Sequence, residues 1–197
     1  LVETTFEIHS EYVLAHQCGK AIAFPRPIPA IKYSHLSCGY EEWLAHKYAL
    51  PGFVEVAPGD VVVDCGAYVG GFSLSASKVA KAVHLFEPDS ANFNSIEMNF
   101  RSIRNATLNQ MGLYNSNARL LLNISTSSVE HSFLTPDNKS VVRQEEVAVT
   151  RLDTYCMEHG IQSLDFLKIE AEGAELEVHE GLGDIRPRKL AVDVSPE

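Results

Sequence analysis

Acidic side chains close the apolar runs of this chain, and their spacing carries its chemistry. Val61-Val62-Val63 ends on Asp64, and the turn Cys65-Gly66-Ala67-Tyr68-Val69-Gly70 follows at once. Val83-His84-Leu85-Phe86 ends on Glu87-Pro88. Phe166-Leu167-Lys168-Ile169 ends on Glu170-Ala171-Glu172-Gly173, and Leu190-Ala191-Val192 ends on Asp193. An apolar strand closed by an acid and a glycine turn is the nucleotide-binding corner of a doubly wound α/β sheet, where ligands lie beyond the carboxyl ends of the strands. A dinucleotide fingerprint needs its second glycine so that the backbone can approach a pyrophosphate. Tyr68 holds that place, which disfavours a nicotinamide-dependent dehydrogenase. Asp64 would repel phosphates and suits a ligand with an ammonium and a sulfonium, which is S-adenosylmethionine. Glu87, about one strand–helix half-unit further on, is placed to accept both ribose hydroxyls.

The elements that must position these residues alternate as strands and helices, which implies a mostly parallel sheet with right-handed crossovers. Strands are expected at Val61–Asp64, Ala82–Glu87, Ala106–Met111, Asp165–Ile169 and Leu190–Val194, with helices at Phe72–Lys81, Ser90–Ser102, Arg151–Gly160 and Gly173–Gly181. Between them, Ala118–Ile124 and Val141–Val149 read as strands of an inserted β-meander. Residues 1–37 are expected to form an amino-terminal arm. Its hairpin runs through Tyr12–Ala15 and Ala21–Phe24, and Pro25, Pro27 and Pro29 form an extended connector. Residues 38–197 are the core domain, opening with a helix from Tyr40 that stops at Pro51-Gly52.

The 197 residues suffice for one domain with a substantial core. The net charge of −10, without any lysine or arginine cluster, disfavours a nucleic-acid partner. No segment approaches a membrane span, no secretory signal opens the chain, and the four cysteines lack metal-ligand spacing. A reduced, cytoplasmic protein is the expectation. The chain does not begin with Met and is expected to be a processed or trimmed product.

Side chains alternate between the faces of a strand, so Lys168, Glu170 and Glu172 share one face. Parallel strands covered on both sides are ordinarily apolar throughout, so these charges are either a paired structural cluster or the lining of a crevice beside the Gly66 turn. A divalent metal held by Glu170, Glu172 and Asp193 has only weak support from spacing, and none is expected. Of the histidines, His84 reads as a satisfied core residue and His179 as packing or surface, while His131 lies in the insertion, where acceptor contacts usually fall.

Phe166–Val178, FLKIEAEGAELEV, preceded by Val149–Tyr155, VTRLDTY, resembles the FkbM family of S-adenosylmethionine-dependent methyltransferases. The family's glycine turn and "FEP" strand end match Asp64–Gly70 and Phe86–Pro88, and Tyr40-Glu41 matches its "YE" pair. The resemblance runs from about residue 38 to the carboxyl end. It implies a class I methyltransferase fold and methyl transfer to an oxygen of a sugar, polyketide or similar small molecule. It also implies that Asp64, Gly66, Ala67 and Gly70 hold the methionyl part, that Glu87 meets the ribose and Gln110-Met111 the adenine, with Tyr68 and Pro88 also at the cofactor, and that Tyr40 and Glu41 flank the mouth. Two departures stand out: Glu170 replaces the family Asp, and Asp193-Val194-Ser195 replaces a Glu-x-His ending. The closing carboxyl-terminal hairpin of the class is expected to be lacking. An alcohol acceptor must lose a proton as its new bond forms, and Glu170, Glu172 and Asp193 are the candidate bases, with Glu170 also near the cofactor. The alternatives are a methyltransferase acting on RNA or protein, and a cofactor-binding module or partner subunit without activity of its own.

Overall fold

The structure, a computed structural model, describes residues 1–125 and 141–194. Strands β1 (Thr5–Ile8), β2 (Tyr12–Gln17) and β3 (Lys20–Pro25) form an antiparallel sheet in that order. The expected hairpin is therefore present, with a further strand, β1, on its edge, all four of whose residues are exposed. The connector is not extended throughout. Helix α1 (Ala30–Ser37) starts directly after Pro29, which sits at the N-cap with extended backbone. Proline has no N–H to contribute and suits a helix start. Helix α2 (Tyr40–Lys47) follows.

The core sheet then begins with β4 (Val61–Cys65), α3 (Gly71–Ala76), β5 (Ala82–Phe86), α4 (Ser90–Phe100) and β6 (Ala106–Asn109). Helix α3 is shorter than the sequence pattern suggests. It gives way to tight turns at Lys78 and Val79, and the Asn105 amide donates to the carbonyls of Ser77 (2.9 Å) and Ala80 (3.0 Å), satisfying acceptors that a longer helix would have used. Short β7 (Gly112–Leu113) precedes β8 (Ala118–Ser125) and β9 (Val141–Thr150), which pair antiparallel, with β7 parallel to β9. Helix α5 (Leu152–Glu158), β10 (Phe166–Ile169), α6 (Glu175–Glu180) and β11 (Lys189–Val192) complete the described chain.

The central sheet has the order β11-β10-β4-β5-β6, with every neighbouring pair parallel. This is the doubly wound α/β class expected from the sequence. After β6 the chain crosses back to the far side of β4, so the connections leaving β4 and β10 run to opposite faces of the sheet, the switch point beyond which sheets of this class place their ligand crevice. Strand alternation segregates two cores. Val62, Val83, Leu85 and Phe166 face α3, α4 and the amino-terminal sheet. Val63, Cys65, Phe86, Leu167 and Ile169 face α5 and α6, packing on Tyr155, Cys156 and Val178. Asp64 and Lys168, partners in register, share the first of these faces. Among the described residues no helix is long and apolar enough to cross a membrane.

The arm is bolted to the core by two amides. Gln17 is buried; its nitrogen donates to the Leu36 carbonyl and to Thr4 Oγ1 (2.6 Å), and its oxygen accepts from the Tyr40 amide (3.3 Å). Asn99 of α4 accepts from the Ala23 amide (2.7 Å) and donates to the Ala23 carbonyl (3.1 Å) and the Val69 carbonyl (2.9 Å). One side chain thus joins the edge of β3 to the glycine turn.

Candidate active site

The turn after β4 has little freedom. Gly66 has φ +74°, and a Cβ there would fall 1.9 Å from the Glu170 carbonyl oxygen, so the backbones leaving β4 and β10 approach as only glycine allows. The Gly66 and Ala67 amides both donate to the Phe86 carbonyl (3.0 Å each), and the Gly70 amide closes the turn on Ala67 (2.8 Å). Tyr68 (φ +55°) and Glu172 (φ +48°) are non-glycine residues held left-handed on the two loops that border the crevice. Such strain persists only where surrounding contacts enforce it, and it gathers at functional sites.

Asp64 lies beneath the turn with no exposure. One carboxylate oxygen accepts from Ser73 Oγ (2.7 Å) and the other is 3.1 Å from Lys168 Nζ. The charge that the sequence suggests for a ligand's ammonium therefore faces the chain's own ammonium. Lys168 is 2 % exposed, and its Nζ also donates to the carbonyls of Gly66 (2.6 Å) and Cys65 (3.2 Å) and lies 3.4 Å from Glu170 Oε2. Burial alone would lower its pKa, but the Asp64 and Glu170 carboxylates hold the ammonium above its ordinary value. Lys168 is thus a structural cation that sews the turn to β10.

Glu170 is the hub of the crevice. Its Oε1 accepts from Lys47 Nζ (2.8 Å), its Oε2 from the Tyr48 hydroxyl, and Lys47 reaches on to Asp193 Oδ2 (2.6 Å). Burial would raise the Glu170 pKa, yet Lys168, Lys47 and the Tyr48 hydroxyl pull it well below the usual carboxylate range. A carboxylate so stabilised is a poor proton acceptor at neutral pH. Asp193 is half-exposed at the rim. The Glu175 carboxylate ties down the neighbouring loop by accepting from the amides of Ala171 (3.0 Å) and Gly173 (3.1 Å).

Glu87 closes β5 and is 6 % exposed. Its Oε2 accepts from the Tyr68 amide (2.8 Å); its Oε1 accepts from the Asp89 amide (3.0 Å) and the Asn92 side-chain amide (3.3 Å). Burial, and then the charge of Asp89, push its pKa up to about 8 against those donors. Pro88 is half-buried and leads into α4, whose first turn Asp89 caps by accepting from the Asn92 amide (2.8 Å). Asn109 ends β6, buried and donating to the Leu85 carbonyl (2.9 Å); beyond it Gln110 is exposed and Met111 half-buried.

The structure brings Asp64, Gly66, Ala67, Tyr68, Gly70, Glu87 and Glu170 together around one turn, with Glu172 and Asp193 on the bordering loops. Tyr40 and Glu41 stand differently. Tyr40 is 1 % exposed and packs under the start of α3, where a Cβ on Gly71 would lie 2.4 Å from its ring. The Glu41 carboxylate is committed to Lys78, at the far end of α3, and to Lys20 (3.5 Å). His84 is buried and bonded to the Tyr155 hydroxyl (2.9 Å), whereas His179 is exposed and His131 lies outside the described residues. Sequence reasoning missed Lys47 and Tyr48, which α2 delivers to Glu170 from 122 or more positions away. It also missed the pairing of Lys168 with Asp64, although counting alternation on both strands would have placed the two on one face. Among the described residues no three His, Cys, Asp or Glu side chains converge as a metal site.

A family model described as "Methyltransferase FkbM domain" matches residues 64–194, well over half of the chain. Among solved structures, methyltransferase FkbM from Methylobacillus flagellatus KT is 19% identical with a TM-score of 0.46, over 78% of this chain and 38% of that one. Precorrin-6y C5,15-methyltransferase from Geobacter metallireducens GS-15 is 12% identical with a TM-score of 0.47, over 87% of this chain and 66% of that one. Precorrin 8w decarboxylase from Methanobacterium thermoautotrophicum is 17% identical with a TM-score of 0.42, over 86% of this chain and 64% of that one. The chain thus spans less than two thirds of the length of the first of these structures. A search of curated proteins returned no match.

Proposed function

The chain belongs to the FkbM methyltransferase family, and from that premise we propose that it transfers a methyl group from S-adenosylmethionine to a hydroxyl of a small molecule such as a sugar or polyketide. The observation that carries this reading is the turn Gly66–Gly70 set against Glu87. Its glycines let the turn pack directly against the Glu170 backbone and the Phe100 ring, and Glu87 presents a buried acceptor at the neighbouring strand end. A tight glycine turn beside a buried carboxylate at the next strand end fits a nucleoside with an amino-acid tail.

In this reading Glu87 accepts from the ribose, the backbone from Gly66 to Gly70 frames the methionyl part, and the residues after Asn109 border the adenine. When bound, the cofactor supplies an activated methyl group. The chain's own residues supply position, which accounts for much of the acceleration in a displacement of this kind. Asp64 and Lys168 act from below by fixing the turn. Lys47 and Tyr48 fix Glu170 at the mouth, where its permanent negative charge suits a cationic sulfur nearby.

Calorimetric titration with S-adenosylhomocysteine, with NAD as control, tests the assignment. Saturable one-to-one binding is expected, weakened at least about tenfold by Glu87→Ala, the loss of one charge-assisted hydrogen bond. Binding of NAD instead, or of neither ligand, would refute it.

A further inference from the structure

Three lysines converge on the crevice, and two are saturated. Lys168 is held by Asp64, Glu170 and two carbonyls, and Lys47 by Glu170 and Asp193. Lys32, on α1, is the one left over. Its Nζ lies 4.9 Å from the centroid of the Tyr68 ring and makes no hydrogen bond or ion pair to any described residue. The residue is half-buried, and helix α1 holds it against the glycine turn.

Building on the methyl-transfer reading, we infer that Lys32 is the group that takes the proton from the acceptor hydroxyl. Glu170, one of the two bases that the sequence favours, is occupied by three cationic or hydroxyl donors, and Asp193 is paired to Lys47 at the rim. The neutral amine of Lys32 is a further proton acceptor facing the turn, and no described residue holds its lone pair. Burial lowers the Lys32 pKa to about 8; Glu170 and Glu172 oppose the shift, while Lys47 and Lys168 reinforce it. About a tenth of the molecules therefore carry the neutral amine at pH 7, rising to half near pH 8. His35, on the same helix, is stacked on Trp43 at 3.7 Å and kept neutral by burial and by Lys32 itself.

The step balances without an added reagent. As the acceptor oxygen bonds to the methyl carbon, its O–H proton moves to the lone pair of Lys32 Nζ, and the electron pair of the breaking S–C bond stays on sulfur. A neutral amine becomes an ammonium, and a sulfonium becomes a thioether. The site therefore keeps one positive charge throughout, which is why an amine suits this position better than a second permanent cation.

Trace acetylation of the whole wild-type chain from about pH 6 to about pH 11, read lysine by lysine in the peptides, measures each ammonium's titration. In the free protein Lys32 should reach half reactivity near pH 8, well below the exposed lysines. S-adenosylhomocysteine, whose sulfur is neutral, should leave that midpoint near 8. Sinefungin, which carries an ammonium where the cofactor carries its sulfonium, should lower it by about half a pH unit or more. A free-protein midpoint near that of exposed lysines overturns the inference. An upward shift with both ligands overturns it too, by making Lys32 a clamp for the cofactor's carboxylate. Failure of S-adenosylhomocysteine to bind at all, seen separately by calorimetry, removes the methyl-transfer reading and the inference with it.

Discussion

Glu87 should release a proton when the cofactor product binds. Its carboxyl is buried, faces the Asp89 charge, and has its pKa raised to about 8, so roughly nine in ten molecules carry the proton at pH 7. Ribose hydroxyls donating to Glu87 favour the ionised form. A bound pKa near or below about 6 would expel roughly 0.8 proton per site at pH 7 and almost none at pH 9.5. By the same linkage S-adenosylhomocysteine should bind about tenfold more tightly at pH 9 than at pH 7. The sign for stability is opposite. An acid whose folded pKa lies above its unfolded value loses stability as pH rises, so the ligand-free protein should weaken between about pH 4.5 and 8. The assay is calorimetry at pH 7 in two buffers of different ionisation enthalpy. The observed heats should diverge for the wild type and coincide for Glu87→Gln. Lys32→Met run alongside removes another group that titrates in this window. Equal heats in the wild type, or undiminished proton release in Glu87→Gln, would refute the reasoning.

Two further outcomes are expected. Lys168→Met should cost about 3–5 kcal/mol in urea denaturation, because it leaves Asp64 buried without its cation, and Lys168→Met with Asp64→Asn should recover part of the loss. Because the Lys168 pKa is raised, its contribution is complete through the neutral range and fades only in strong alkali; a loss under about 1 kcal/mol would contradict its role. Gly66→Ala should cost well over the ~1–2 kcal/mol of left-handed strain, since the new methyl group meets the Glu170 carbonyl. Gly19→Ala, at the same φ of +74° but with nothing within 4 Å, isolates the strain alone, and similar losses for the two would show the close approach to be unimportant.

The glycine turn, the sheet and the acids at its strand ends were legible because apolar runs, glycines and charges are local signals. Strand β4 appears at Val61–Cys65 and β5 at Ala82–Phe86, within one residue of the pattern. Helix α1 was hidden because three prolines in five residues argue for extended chain, and nothing local says that the last of them starts a helix. What Asp64 faces was hidden for a different reason. Its partner comes from a strand about a hundred residues later, and an acid beside a glycine turn looks the same whether its cation is a ligand or a lysine. Glu41 shows the converse: a motif match placed it at the mouth, while packing gave its charge to Lys78. The basicity of Lys32 depends on burial by parts of the chain far from it in sequence, which no spacing reveals.

The Asn99 contacts also constrain when the molecule can be assembled. Synthesis delivers the arm before the core, yet the residue that fastens β3, and the turn it is fastened to, arrive 76 and 46 positions later. The hairpin can zip locally on emergence, since its own pairing is short-range, but it has no seat until α4 has been made. The arm is thus made before the core yet docks after it, and Lys32, carried just behind the hairpin, reaches the crevice only in that closing step.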